Sequence, residues 1–387
     1  MRYRNVFLES IGYVLPSWVV SSEELEAQLA PVYDRLRLPE GRLELMSGIR
    51  QRRLWEPGVL PSEKSSAAGQ LALDAAEIQA SQIGAVFHCA VCRDQLEPAT
   101  SCHVHRRLQL PSNCLVHDVS NACLGFLNGM ILAANMIELG QIESAIIVSS
   151  EGSRELVERT ILELNTNESL TRDDIKLAVA SLTIGSAAVA AVLTNKQLSQ
   201  RGTKLTAAVS RAYSEYDQLC RGTADQGVAQ GMRPLMQTDS EQLLIAGVSA
   251  AEDCFQEFLQ EASWSRDQIN RTVCHQVGKA HRKALLQAIE LQAENDFTSY
   301  ELLGNTGSAA LPVTTALATE AGFLNADDQV ALMGIGSGIN VVMLAVEWQT
   351  VAVAGRDEAV VDSVISRPKS RSMKPATQPP LVTDRVS

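Results

Sequence analysis

The segment Asp118-Val-Ser-Asn-Ala-Cys123-Leu-Gly-Phe holds the residue best suited to covalent chemistry. Its pattern predicts a strand that ends in a tight turn, with Cys123 at the N-terminus of the following helix. Unpaired helix N–H groups and the helix dipole favour an anion there, so the thiol is expected to ionise below its usual pKa of roughly 8.5. Such a thiol is a nucleophile that accepts an acyl group. The plainer reading of the same pattern is a small buried residue at a helix start. Thr272-Val-Cys-His275-Gln-Val-Gly places a histidine just after a strand, where a side chain reaches the end of a sheet; a loop histidine fits equally. Leu303-Gly-Asn305-Thr-Gly-Ser-Ala-Ala-Leu-Pro sets an asparagine in a turn before a helix. There it either caps the helix or turns its NH2 toward a developing oxyanion.

Cys89 and Cys92, followed by Cys102, His103 and His105, invite a zinc reading. A tetrahedral site needs these ligands to converge, and their spacing matches no common zinc module, so no metal is expected. His88, His117 and His281 read as structural or solvated.

The elements that must position these residues alternate between short β-rich runs and longer helical ones. In the first half, strands are expected at Asn5–Tyr13, Gly84–Val91, Cys114–Val119, Ala145–Ser150 and Ala187–Leu193. Helices are expected from Ser21, where Glu24 completes a capping box, and over Ser65–Ala80, Pro98–Leu108 and about Cys123–Gly140. Thr171 and Asp174 mark another helix start. The second half repeats the theme, with strands at Lys204–Tyr213, Arg271–Cys274, Val330–Met333 and Asn340–Glu347, and helices at Ser240–Ala262, Gly278–Leu291 and Ser308–Glu320. This alternation predicts a layered α/β fold. Thr183-Ile-Gly-Ser186 and Gly334-Ile-Gly-Ser337 each precede an apolar strand, and Gln82-Ile-Gly parallels Gln268-Ile-Asn. Together they suggest a duplication with unequal insertions. We therefore expect an N-terminal half over 1–200, a C-terminal half over 201–348 and a disordered tail over 349–387. The polar, aperiodic stretch Ser214–Asp239 reads as a long loop.

The 387 residues carry 33 Lys+Arg against 45 Asp+Glu, a net charge of -12. An acidic chain is poorly suited to sequence-independent nucleic-acid binding, which needs clustered cations. No apolar run is long enough for a membrane span, and Glu9 interrupts the only apolar stretch near the N-terminus, so neither a span nor a signal peptide is expected. The eight cysteines then read as free thiols in a cytoplasmic protein.

As a set, Cys123, His275 and Asn305 resemble the Cys-His-Asn triad of thiolase-fold condensing enzymes. DVSNACLGF, HQVGKAH and GNTGSAALP each resemble the motif around one triad member, in family order, and the 30 residues from His275 to Asn305 are family-like spacing. Gly334–Asn340 is similar to the family's Gly-rich loop facing the nucleophile. Within the β-ketoacyl-ACP synthase III branch, the chain most resembles the OleA-type thiolases of olefin biosynthesis. That likeness rests on Gly48–Trp55, Arg93–Thr100, Leu219–Gly222 and Gly334–Asn340, and the whole resemblance spans Asn5 to Trp348. It implies a thiolase-like fold, with duplicated α/β halves in five αβαβα layers. It also implies a homodimer and acyl-CoA or acyl-carrier-protein substrates, with no metal or redox cofactor.

The resemblance gives Glu97 a role. Enzymes that decarboxylate a malonyl donor make their carbanion without a base. Joining two acyl-CoAs instead requires removal of an α-proton, which a shielded carboxylate can perform. Glu97, supplied across the dimer interface in the family, is the implied base; its plain alternative is an acidic residue beside a helix start. The implied oxyanion donors are the backbone N–H groups of Cys123 and Ser337. Lys279, Arg282 and Lys283 either attract CoA phosphates or an acyl carrier, or solvate a helix face. Arg42 and Met46 stand near the places of the Trp and Arg that hold CoA in the initiating synthases, which leaves the CoA contacts open. The implied reaction is Claisen condensation of two long-chain acyl-CoAs to a β-keto acid, feeding downstream hydrocarbon-pathway enzymes. The alternatives are a decarboxylative synthase III and a non-catalytic scaffold.

Overall fold

The computed structural model describes residues 1–222, 235–355, 357, 360, 362 and 363. Ten strands lie in the order Asp296–Phe297, Arg271–Cys274, Gln329–Gly336, Asn340–Glu347, Lys204–Ala212, Phe7–Val14, Ala187–Thr194, Ser144–Glu151, Ala85–Cys89, Leu115–Val119. The order mirrors itself about its centre. Phe7–Val14 runs antiparallel to Ala187–Thr194, which runs antiparallel to Ser144–Glu151; Ala85–Cys89 and Leu115–Val119 then continue in parallel. From Lys204–Ala212 outward the same succession recurs: antiparallel, antiparallel, parallel, parallel. The two runs meet through the pairing of Phe7 with Lys204. Gln82 and Gln268 each close a 3-10 turn just ahead of equivalent strands.

Of the four buried clusters among the described residues, three lie between the five layers. Helices Pro61–Ala76 and Thr100–Arg107 cover one outer face, with Leu73 and Val104 packed on Ile146, Val148 and Val192. Helices Gly125–Glu138 and Ala310–Glu320 lie in the middle, where Leu127, Met130, Leu311 and Leu317 meet Phe87, Ile147, Leu332 and Leu344 from both sheet halves. Helices Ser240–Ala262 and Lys279–Ala288 cover the other outer face through Phe255, Phe258 and Leu285 against Val209 and Met343. Strands covered on both faces are continuously apolar rather than alternating, and Ala187–Thr194 is buried at all eight positions. This is the α/β, thiolase-like architecture that the sequence implied.

Several local expectations are corrected. The helix after the Cys123 turn begins at Gly125 rather than at Cys123. The first long helix runs Pro61–Ala76, displaced toward its proline because proline suits a first turn. The segment 349–387 is not a tail throughout. Ala352–Ala354 pairs in parallel with Phe7–Val14, Asp357 bonds Arg53 at 2.9 Å, and Val360 is buried. Within Ser214–Asp239, a 3-10 turn at Ser214–Tyr216 precedes a two-stranded ribbon of Cys220–Gly222 with Met236–Thr238; residues 223–234 lie outside the described set. Among the described residues, no helix is long and apolar enough to cross a membrane.

Candidate active site

Strand Leu115–Val119 leads into a turn in which Ala122 adopts a positive φ of 45°. That left-handed residue reverses the chain and presents Cys123 ahead of the central helix. The Gly-rich strand end packs directly behind it: a Cβ built on Gly334 or Gly336 falls 2.5 or 2.9 Å from the Leu124 side chain. Only glycine lets Ser337 come this close to the nucleophile turn. Asn340 ties the two segments by donating from its side chain to Asn121 Oδ1 and to the Ser337 carbonyl, at 3.1 and 3.0 Å.

His275 follows strand Arg271–Cys274, its backbone N–H donating to Met333 O at 2.9 Å. Neither of its ring nitrogens has a hydrogen-bond partner among the described residues. Burial, helped by nearby His281, pushes the imidazole down to about 4, so the ring is neutral at physiological pH. Asn305 is clamped between residues of a distant turn: its N–H donates to Thr183 O at 3.0 Å and its carbonyl accepts from Gly185 at 2.9 Å. Its side-chain Oδ1 accepts from Gly307 N–H at 3.0 Å, which leaves the NH2 group facing Cys123.

Cys123, His275, Asn305 and Ser337 line one cavity of about 360 Å³, whose remaining wall is largely apolar, with Leu156, Leu243, Leu244, Val248 and Ile335. The helix and ribbon that follow residue 219 supply much of that wall, so the stretch read as a loop borders the site. Glu97 is elsewhere. It is exposed at the tip of a loop, next to exposed Leu96, and does not line the cavity of its own chain.

The thiol differs from expectation. Burial first, then the carboxylate of Glu151 and the nearby Cys220, push Cys123 up to about 12, and the Asn305 contact offsets only part of this. The helix starts two residues too late for its N–H groups to outweigh desolvation. A raised thiol pKa means the thiolate fraction grows with pH throughout the accessible range. Alkylation of Cys123 by iodoacetamide in the ligand-free protein is therefore expected to rise about tenfold per pH unit from 7 to 9.5. A plateau near neutral pH, read from the mass of the Cys123 peptide, would contradict this.

Other candidates sort themselves out. Cys89 is buried against Gly129, Cys92 exchanges contacts with Gly152, and Cys102 is exposed. Of the basic cluster, Arg282 is committed: its Nε lies 2.6 Å from Asp296 Oδ2, whose side chain is wholly buried, and it also bonds Ala293 O. Removing one member of such a pair strands a buried charge. Arg282→Ala should cost about 3–5 kcal/mol of stability in urea unfolding, and a loss below about 1 kcal/mol would refute that role. Arg42 and Met46 sit on the short helix Arg42–Ser47, and Met46 is exposed. Glu151, His281 and Cys220 line the cavity without having been singled out as site residues; His281 and Cys220 lie in stretches that carried the resemblance, and Glu151 does not.

Residues 117–214 match the family described as 3-oxoacyl-[acyl-carrier-protein] synthase III, and residues 259–348 match its C-terminal region. The chain is 40% identical to the acyl-CoA:acyl-CoA alkyltransferase of Shewanella oneidensis over 90% of this chain and 100% of that protein. It is 33% identical to the enzyme of the same name from Xanthomonas campestris pv. campestris, over 90% of this chain and 100% of that one. The crystal structure of cerulenin-bound Xanthomonas campestris OleA superposes with a TM-score of 0.85 at 32% identity, covering 90% of this chain and 98% of that one. With this identity maintained along the whole length of its relatives, the chain belongs to the 3-oxoacyl-[acyl-carrier-protein] synthase III family, in its acyl-CoA:acyl-CoA alkyltransferase (OleA) branch.

Proposed function

We propose that the protein joins two long-chain acyl-CoAs head to head by a non-decarboxylative Claisen condensation. The observation that carries this is the placing of Cys123, His275 and Asn305 on the wall of one largely apolar cavity. Cys123 sulfur attacks the first thioester; its proton leaves with the CoA thiolate as free CoA, and the chain stays as acyl-Cys123. The Cys123 and Ser337 backbone N–H groups hold the oxyanion. Glu97 of the partner chain takes the α-proton of the second acyl-CoA. The Asn305 NH2 and the neutral His275 ring donate to the enolate oxygen. The carbanion forms the new C–C bond as the C–S bond to Cys123 breaks, giving a 2-alkyl-3-oxoacyl-CoA, and hydrolysis yields the β-keto acid and a second CoA.

A homodimer supplies the missing base. Leu115–Val119 is the terminal strand of the sheet, and it is mostly exposed, as are Val91 and Leu96 close to Glu97. An exposed strand edge with apolar neighbours favours pairing with a second copy. No metal or redox cofactor enters this scheme. The reaction fits a cytoplasmic enzyme that passes its β-keto acid to hydrocarbon-forming enzymes.

The test is substrate choice. With palmitoyl-CoA alone, the purified protein should release CoA and form β-keto acid. Product that appears only when a malonyl-carrier donor is added would instead establish a decarboxylative synthase. Failure of both, with Cys123 unacylated, would identify a scaffold.

A further inference from the structure

Glu151 ends the strand Ser144–Glu151 and is 5% exposed. Its carboxylate collects backbone N–H groups from two segments far away in sequence. Oε1 accepts from Val91 at 3.0 Å and from Ser308 at 3.2 Å, and Oε2 accepts from Cys92 at 3.1 Å. The strand end carrying Glu151 is itself held by Trp55, whose Nε1 donates to the Glu151 carbonyl at 3.0 Å.

Both captured segments lead to reacting groups. Val91 and Cys92 begin the loop whose tip bears Glu97. The far side of that loop is fixed separately: Asp94 accepts from Ser62 N–H at 2.9 Å and donates from its own N–H to Thr100 Oγ1 at 3.1 Å. Ser308 follows Gly307, the residue that orients the Asn305 amide. The Ser308 hydroxyl in turn accepts from Phe126 N–H and donates to Cys89 O, both at 2.8 Å, so the contact reaches the start of the nucleophile's helix. Space for the carboxylate is reserved: a Cβ on Gly307, whose φ is +56°, would lie 3.1 Å from three Glu151 atoms.

We propose that Glu151 is a positioning residue of the condensation, its buried carboxylate locking the Asn305 turn and the root of the Glu97 loop to one strand end. In a dimer this couples the two sites, because the same carboxylate orders its own chain's chamber and the base delivered to its partner's. The proposal rests on the roles given above to Asn305 and Glu97. A carboxylate here also opposes ionisation of Cys123, since its charge raises the thiol. A structural strut needs no charge beside the nucleophile, which gives the proposal a separate signature.

Three variants test it. Glu151→Gln removes the charge and turns an NH2 group against one captured N–H. It should lower kcat for condensation by about tenfold or more with little change in KM, and speed iodoacetamide labelling of Cys123 at pH 8 roughly threefold or more. Glu151→Asp keeps the charge but falls short of the three donors. It should lower kcat similarly, with labelling unchanged. Gly307→Ala presses on the carboxylate from the opposite side with Glu151 intact and should reproduce the aspartate pattern; it keeps the question answerable if an Glu151 variant unfolds in circular dichroism. Condensation within twofold of wild type in the folded variants overturns the proposal, as does labelling of Glu151→Gln at the wild-type rate. Labelling needs no acyl-CoA, so a failure of the condensation reading itself would show as an inactive wild type with the labelling contrast still measurable.

Discussion

Glu97→Ala is expected to accept an acyl chain on Cys123 at close to the wild-type rate and then to stop. The two half-reactions ask different things of the site. In the proposed scheme, acyl transfer to Cys123 uses the thiol and the oxyanion donors, all on the cavity wall of one chain. Carbon–carbon bond formation additionally needs an α-proton removed, and the described cavity holds no other carboxylate than Glu151, whose oxygens are occupied by three backbone N–H groups. Loss of a general base costs typically about 10²–10⁴-fold, so β-keto acid should fall by that factor while the mass of the Cys123 peptide still shows one acyl group. Condensation within threefold of wild type would remove Glu97 from the mechanism.

Cys123→Ala should abolish both half-reactions. No acyl adduct should form, and product should fall by at least about 10⁴-fold, the scale on which covalent catalysis fails when its nucleophile is removed. Cys123→Ser should fare little better. With the cysteine thiol itself held up at about 12 by burial, a hydroxyl in the same place, beside a neutral imidazole, is harder still to ionise. Retained acylation at another residue in Cys123→Ala, read by peptide mapping after acyl-CoA exposure, would relocate the nucleophile; Cys220, on the same cavity wall, is the residue to watch.

Much of the fold was written in local patterns. The helix Ser240–Ala262 and the strands Arg271–Cys274 and Asn340–Glu347 start and stop where periodicity and caps place them. Thr171 and Asp174 do form a reciprocal cap on the helix Arg172–Leu182. Cys123, His275 and Asn305, which share one cavity wall, were legible because each sits at the end of a strand or in a turn within a compact motif. What escaped depends on distance in sequence or on burial. Glu151 falls just beyond the strand expected at Ala145–Ser150, and its partners lie 59, 60 and 157 positions away. His281 lies six residues beyond His275, and only the turn into the helix Lys279–Ala288 brings it back to the cavity. The thiol was misjudged because the sequence shows a helix start nearby but not the desolvation that overrides it. The strand Ala352–Ala354 was hidden by the proline-rich composition that follows it, since three residues are too few to declare a period.

The central claim is that Cys123 of one chain and Glu97 of its partner together condense two acyl-CoAs. Mixing Cys123→Ala and Glu97→Ala chains under conditions that exchange subunits tests it directly. Each variant alone is inactive, but a mixed dimer contains one intact site, with Cys123 from one chain and Glu97 from the other. With palmitoyl-CoA as sole substrate, a one-to-one mixture should recover about a quarter of wild-type β-keto acid formation, since half the dimers are mixed and each has one working site. No recovery in a mixture shown to contain mixed dimers would contradict a base supplied across the interface, and with it the mechanism proposed here.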